Sequence, residues 1–404
     1  MAHQEQSAPD TANHGFGLWI GVVGLVYLLL VGVGIIGAGF KWISGGAEGA
    51  AQIFAFASNP IVGVILGTLA TALVQSSSTV TSVIVGLVAG GVPVEIAIPM
   101  IMGANMGTTI TNTIVSLGNL REKLAFSRAF QAATVHDFFN LYTILIFLPI
   151  EVLFHPLEKM SGALAGVFVG AGDASIKGLN FVGAATKPIA GFVVDTLEFI
   201  PAPFGPLLAI AIGIALVIGS VLYLGNLLRA VMTGRAKGMV DAAIGRGPVA
   251  GIASGTVVTI AVQSSSTTTS LVVPLAGAGV LTLRQVFPFT LGANIGTTVT
   301  ALLAATSVTG EFQNVALQIA LVHLLYNCIA VTFFISIPFM TELPIRSAIW
   351  LGERVEQNRG WALAYIVGVF FVLPGLVFGG EVLMGEVDTS ALQGSEETAI
   401  STGS

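Results

Sequence analysis

The sequence predicts an all-α polytopic membrane protein with two inverted-topology repeats, each carrying a re-entrant helical hairpin and a broken transmembrane helix. Three observations carry that expectation. Charged residues are 9% of the 404 residues, hydrophobic residues are 54%, and mean hydropathy is +0.91. Such a chain cannot solvate itself as an ordinary globular domain. Apolar runs of roughly 20 residues recur, each able to cross about 30 Å of hydrocarbon as a helix. The ten-residue alternating stretches of an outer-membrane barrel are missing. Finally, the polar block Gln75-Ser76-Ser77-Ser78-Thr79 returns as Gln263-Ser264-Ser265-Ser266-Thr267, each inside a long apolar run.

The first repeat is expected over 18–150. Residues 1–17 read as a polar tail without lysine or arginine, and the run that follows is too long for a signal peptide. The first span, 18–40, ends at Lys41 and Trp42, suited to an interface. The 33 residues of 59–91 are too many for one crossing and too few for two with a turn. Folded back on itself, this stretch is a hairpin with Gln75 at its tip. Residues 94–118 are apolar apart from Gly103-Ala104-Asn105-Met106-Gly107-Thr108-Thr109. That composition suits a helix that unwinds and restarts, or a small-residue packing face. A charged turn with Arg121, Glu122, Lys123 and Arg128 leads into a helix over 129–150 that carries His136, Asp137 and Asn140. Residues 151–206 contain Pro156, Pro188, Pro201 and Pro203 and read as an external connecting loop with interfacial pieces.

The pattern then returns over 207–340. A span at 207–228 precedes a basic stretch with Arg229, Arg235, Lys237 and Arg246, a hairpin over 248–279, a broken helix over 283–305 and a helix over 316–340. The second broken helix holds Gly292-Ala293-Asn294-Ile295-Gly296-Thr297-Thr298, and the last helix holds His323 and Asn327. Gln75, Gly103 and His136 precede Gln263, Gly292 and His323 by 188, 189 and 187 residues, an internal duplication. An interfacial segment over 341–360, a last span over 361–379 and an acidic tail over 380–404 complete the chain. The turn after the first broken helix is basic, whereas its counterpart near Thr306 to Asn314 has only Glu311. By the positive-inside rule the copies are oppositely oriented, with a cytoplasmic amino terminus and 151–206 outside. A multi-pass protein of the cell inner (plasma) membrane is expected.

Several functions are excluded or weakened. A formal charge of −6 leaves no basic surface for nucleic acid. Cys328, the only cysteine, rules out an intrachain disulfide and reads as packing. A membrane serine hydrolase needs one serine with a base in reach, yet these serines come in triplets and neither hairpin contains a histidine. No enzyme activity and no cofactor are expected. A channel shares the polar midplane, but duplicated hairpins suit a site closed alternately from each face.

The lining describes the ligand. Serine and threonine hydroxyls, the Gln75 and Gln263 amides, the Asn105 and Asn294 amides and freed backbone N–H groups donate to an anion. A tetrahedral oxyanion fits, and physics alone leaves phosphate, sulfate and others open. The same oxygens, Thr79 included, suit sodium as hard neutral ligands. Asp137, an ionisable residue in mid-span, is expected to bind a cation or tune its field. His136 and His323 read as buried, hydrogen-bonded histidines without a catalytic role.

The doubled QSSS, the two GAN-x-GTT segments and TVHDFFN resemble the type II sodium-phosphate cotransporter family over roughly 57–151 and 248–338. The resemblance implies sodium-driven uptake of inorganic phosphate by alternating access, with sodium as a co-transported ligand, and leaves a homo-oligomer open. It implies phosphate contacts at Ser76, Ser77, Ser78, Ser264, Ser265 and Ser266, and at Lys123, where relatives carry arginine and lysine lacks the bidentate fork. Implied cation positions are Thr108, Thr113, Asn119, Glu122, Asp137, Asn140, Thr297 and Thr300. Ala293 stands where relatives often have serine. Electrogenic relatives carry alanine, alanine and aspartate where this sequence has Gln131, Ala133 and Asp137; Gln131 departs from that pattern, and Asp137 favours charge movement. The outer loop is short and lacks cysteines, which suggests a bacterial relative.

Overall fold

Each QSSST block forces a chain reversal, and the rest of the fold is arranged around the two reversals. The computed structural model describes residues 11–170, 180–243 and 246–383, and among these the regular elements are all helical. The first repeat comprises α1 (Thr11–Ser44), α2 (Ala47–Ile53), α3 (Pro60–Val74), α4 (Ser77–Ala89), α5 (Val94–Gly107), α6 (Ile110–Ser116) and α7 (Lys123–Phe154). After α8 (Pro156–Gly170) and α9 (Asn180–Leu197), the second comprises α10 (Phe204–Ala243), α11 (Pro248–Val262), α12 (Ser265–Gly277), α13 (Leu283–Ala305) and α14 (Gln313–Ser336). Then follow α15 (Pro338–Gln357), α16 (Gly360–Val367), a π-helical turn (Gly368–Val372) and α17 (Leu373–Leu383). Six stretches among the described residues are long and apolar enough to cross a membrane, in α1, α7, α10, α13, α14 and the last run Gly360–Val377.

At both expected hairpins two short helices meet at the polar block. Asn59 caps α3 by accepting from the Ile61 N–H, with Pro60 in the first helical position, where its missing N–H costs nothing. At the tips, Gln75 (φ 56°, ψ 28°) and Gln263 (φ 54°, ψ 28°) adopt the same left-handed conformation, unusual for a non-glycine residue. Ser76 and Ser264 then cap α4 and α12, each accepting from the backbone N–H three residues on at 3.2 Å.

Each hairpin's first helix lies against its own repeat, α3 on α5 and α11 on α13. A Cβ on Gly103 would land on the Val64 carbonyl, and one on Gly292 on the Ile252 carbonyl. Glycine alone permits that approach. Thr68 Oγ1 donates to Gly103 O at 3.2 Å and Thr256 Oγ1 to Gly292 O at 3.0 Å, the same bond in both copies. The second hairpin helices cross over, α4 onto α13 and α14, and α12 onto α6 and α7. The leading helices α1 and α10 also pack together, with Gly32 and Gly213 at their crossing.

Of the two expected broken helices the first is interrupted at its motif, and the second needs correction. Between α5 and α6 the interruption is a slip at Thr108 and Thr109, which keep right-handed helical angles, and α13 runs unbroken through Gly292–Thr298. The threonines bond back into their own helices: Thr108 to Ala104 O, Thr109 to Met106 O, Thr297 to Ala293 O and Thr298 to Ile295 O. The glycines serve packing, so nothing forces unwinding. The stretch 151–206 also holds more order than a loop. α8 packs on α14 and α9 on α1, and the buried Glu151 carboxylate accepts the Leu157 and Glu158 N–H groups at 2.7 and 3.0 Å, capping α8. Segment 341–360 is largely α15, seated on α7 and tied to the start of α13 by Arg284–Glu342. Residues 1–10 and 384–404 of the expected tails lie outside the described residues.

Candidate functional site

The two hairpin tips face one cleft of about 620 Å³. Gln75 of the first tip lines it together with Ser264, Ser266 and Thr267 of the second, joined by Thr111 from α6 and Ser270 from α12. The first amides of α4 and α12 have no intrahelical acceptor, so each tip adds N–H donors and the positive end of a helix dipole. Ser77, Ser78, Thr79 and Ser265 are buried behind the tips, while Gln75 is exposed. Val74, Val115, Leu222 and Leu271 complete the lining, so the hydroxyls and the Gln75 amide stand in a partly apolar wall between helix starts.

The copies differ at the threonine–glutamine pair beside each tip. In the second, Thr300 Oγ1 donates to Gln263 Oε1 at 2.9 Å, and Gln263 Nε2 donates to Ile260 O at 2.7 Å. In the first, the equivalent Thr111 hydroxyl is buried without a partner and Gln75 extends into the cleft. Thr111 also escaped the sequence reading, although its place 189 residues before Thr300 was a usable signal.

A reciprocal clasp joins the two repeats. Asn294 Nδ2 donates to Asn140 Oδ1 at 2.8 Å and Asn294 Oδ1 meets His136 Nε2 at 2.7 Å. Asn105 Nδ2 donates to Asn327 Oδ1 at 2.9 Å and Asn105 Oδ1 meets His323 Nε2 at 3.1 Å. Each asparagine oxygen is an acceptor, so each Nε2 is a donor and both imidazoles carry that proton. Asn140 Nδ2 reaches the Asn105 carbonyl at 3.0 Å, linking the two halves. All six side chains are buried. Asn105 and Asn294, expected among the anion donors, therefore have their amides engaged by protein in this conformation.

Asp137 is fully buried on α7. Its Oδ2 accepts from Thr113 Oγ1 at 3.3 Å and from Tyr365 OH at 3.0 Å, the Thr109 hydroxyl also lies close to the carboxylate, and Oδ1 makes no hydrogen bond of ordinary geometry. An ionised carboxylate left so in the interior costs several kcal/mol, and a cation at Oδ1 would offset that.

The sequence profile described as Na+/Pi-cotransporter matches residues 28–172 and 216–342, two segments that hold both hairpins and both halves of the clasp. The chain belongs to the Na+/Pi-cotransporter family. It is 32% identical over 428 residues to sodium-dependent phosphate transport protein 2A of Rattus norvegicus, covering 89% of this chain and 67% of the relative. It is also 32% identical over 455 residues to the 2B proteins of Pongo abelii and Homo sapiens, covering 90% of this chain and 65% of each relative. The chain thus spans about two-thirds of the length of these relatives. No solved structure matches it.

In this member of the cotransporter family the expected site residues divide into groups. Gln75, Ser264 and Ser266 share the cleft. Thr113 and Asp137 meet, and Asn140 belongs to the clasp. Thr79 Oγ1 turns to Ser76 Oγ at 2.9 Å, and Thr108 and Thr297 bond to their own helices. Asn119, Glu122 and Lys123 stand apart from the cleft. Asn119 lies beside Gly277, at the far end of α12 and about 18 Å along that helix from the tip, and Glu122 and Lys123 are exposed at the start of α7. Two contacts were not anticipated. Asn112 Oδ1 accepts from Thr269 Oγ1 at 2.8 Å, joining α6 to the second hairpin, and Tyr365 reaches Asp137. Neither residue lies in a duplicated motif, so recurrence could not reveal them.

Proposed function

We propose that this protein is a secondary active transporter that couples inward sodium movement to uptake of inorganic phosphate by alternating access. The observation that carries the reading is the single cleft lined by Gln75 from one repeat and by Ser264 and Ser266 from the other. Donor-rich helix starts suit a tetrahedral oxyanion, and the names of the relatives specify sodium and phosphate. The serines Ser76, Ser77, Ser78 and Ser265 stand behind the lining as further donors. Asp137 offers a buried carboxylate to one cation, and uptake is electrogenic when the sodium charge carried exceeds that of the phosphate. Basic turns at Arg121–Arg128 and at 229–246 face the cytoplasm, as does the amino terminus, in the inner membrane.

The test is uptake of labelled phosphate by the purified chain in liposomes under an inward sodium gradient, with potassium as control and sulfate as competitor. Saturable, sodium-dependent uptake that sulfate leaves intact is expected, falling at least tenfold in Gln75→Ala. Equal uptake in potassium removes sodium coupling, and stronger inhibition by sulfate than by unlabelled phosphate reassigns the anion.

The unequal threonine–glutamine pairs support alternating access. Exchange of the repeats' conformations would close Thr111 on Gln75 and release Thr300 from Gln263, giving the opposite-facing state. Thr300→Val and Thr111→Val are each expected to lower maximal uptake by roughly fivefold, the equivalent of about one buried hydrogen bond, with the phosphate half-saturation unchanged in Thr300→Val. A silent Thr111→Val would contradict the exchange, since Thr111 makes no side-chain bond in the state seen here.

A further inference from the structure

The last span lies outside the duplication, yet it reaches the acidic residue in the middle of the first repeat. The geometry points to Tyr365 as a positioning residue of the cation site: its hydroxyl donates to Asp137 Oδ2 and presents Oδ1 to a sodium ion. This rests on the reading of Asp137 as a sodium ligand.

Both partners of Asp137 Oδ2, Tyr365 and Thr113, are neutral donors. They orient the carboxylate without cancelling its charge. The other oxygen, Oδ1, is buried without a hydrogen bond of ordinary geometry, and the nearby Thr109 hydroxyl is a further neutral group, which is the arrangement expected of a ligand held ready for a cation. Tyr365 itself has little freedom. Its ring meets those of Phe130, Phe138 and Phe370 with centroids 6.1, 6.0 and 6.4 Å away. An aromatic side chain has only two rotatable torsions, so such a box fixes the hydroxyl.

The asymmetry of the repeats explains why one tyrosine suffices. Asp137 corresponds to Leu324 in the second copy, where there is no carboxylate to orient. Three residues after Tyr365 the helix takes its π turn, Gly368–Val372, an insertion that often marks functional positions. That turn and α17 pack on α3, the first helix of the Gln75 hairpin. One span therefore touches both the Asp137 carboxylate and the hairpin whose tip lines the cleft, and it can carry the state of one to the other.

The experiment compares the unaltered chain with Tyr365→Phe, Asp137→Asn and the double variant. Phosphate uptake in liposomes and the sodium-induced rise in melting temperature of the detergent-purified full chain are each followed against sodium concentration. Tyr365→Phe is expected to raise the half-effective sodium concentration roughly tenfold, the factor that corresponds to about 1.4 kcal/mol. The phosphate half-saturation at saturating sodium stays within about twofold. The double variant should be no worse than Asp137→Asn alone, because the tyrosine acts only through the carboxylate. Tyr365→His, which keeps a ring and a donor, should recover part of the loss; it also serves as the comparison if Tyr365→Phe does not fold, as judged by its melt without sodium.

An unchanged sodium dependence in Tyr365→Phe overturns the inference, as do equal shifts for sodium and phosphate, or a full additional loss on top of Asp137→Asn. If sodium neither drives uptake nor raises the melting temperature of the unaltered chain beyond potassium, the sodium reading of Asp137 falls first. If sodium does both and Tyr365→Phe alters neither, only the role of Tyr365 falls.

Discussion

Asp137→Asn is expected to weaken sodium activation of uptake by roughly thirtyfold or more, the factor set by about 2–5 kcal/mol for removing one member of a buried charge pair. It should also lower the charge moved per phosphate by one. The carboxylate is fully buried, two neutral hydroxyls hold Oδ2, and Oδ1 makes no hydrogen bond of ordinary geometry. Asparagine matches the shape and keeps an oxygen, so Thr113 and Tyr365 retain an acceptor. What disappears is the negative charge that favours a cation over water. Uptake measured against sodium concentration, together with current per phosphate at clamped potential, reads both consequences. The same sodium dependence and the same current in Asp137→Asn would show that the acid serves packing alone.

Asn294→Ala is expected to destabilise the folded protein by about 2–6 kcal/mol, because it leaves two buried groups, His136 Nε2–H and Asn140 Oδ1, each without its partner at about 1–3 kcal/mol. Asn105→Ala does the same to His323 and Asn327 on the other side of the clasp. Both variants should show a lower melting temperature in detergent and a lower folded yield. Any folded fraction should retain near-normal half-saturation for phosphate. Ser266→Ala, on the cleft wall, should show the reverse pattern, with an ordinary melt and weakened phosphate uptake. Loss of phosphate affinity with an unchanged melt in Asn294→Ala would return this asparagine to the anion site.

Much of the fold was legible because it is written twice. The hairpin reversal at Gln75 and Gln263 follows from segment length and from polar blocks that hydrocarbon does not tolerate unpaired, and both tips adopt nearly identical backbone angles. The duplication likewise marked Asn105, Asn140 and His136 with their counterparts Asn294, Asn327 and His323, but not how they pair. A spacing of 187 to 189 residues identifies equivalent positions, whereas partner choice depends on which helix faces which across the repeat interface. The structure exchanges the partners between repeats, so residues expected to meet an anion instead hold the halves together. It also makes the GAN-x-GTT glycines packing positions, since a Cβ at Gly103 or Gly292 would collide with backbone of the neighbouring hairpin helix.

The sequence by itself therefore determined the membrane setting, the duplicated architecture and the chemical character of the tips. Each is a property of a single run of residues or of its repetition, and local physics decides such properties. Only the tertiary structure decided which residues of the two tips line their shared cleft, that the Thr111 and Thr300 pairs stand in unequal states, and that Tyr365 of the last span completes the surroundings of Asp137. Those contacts join residues as much as 228 positions apart. Their physical cause is the packing of helices whose apolar faces carry no address, so one sequence alone does not name their partners.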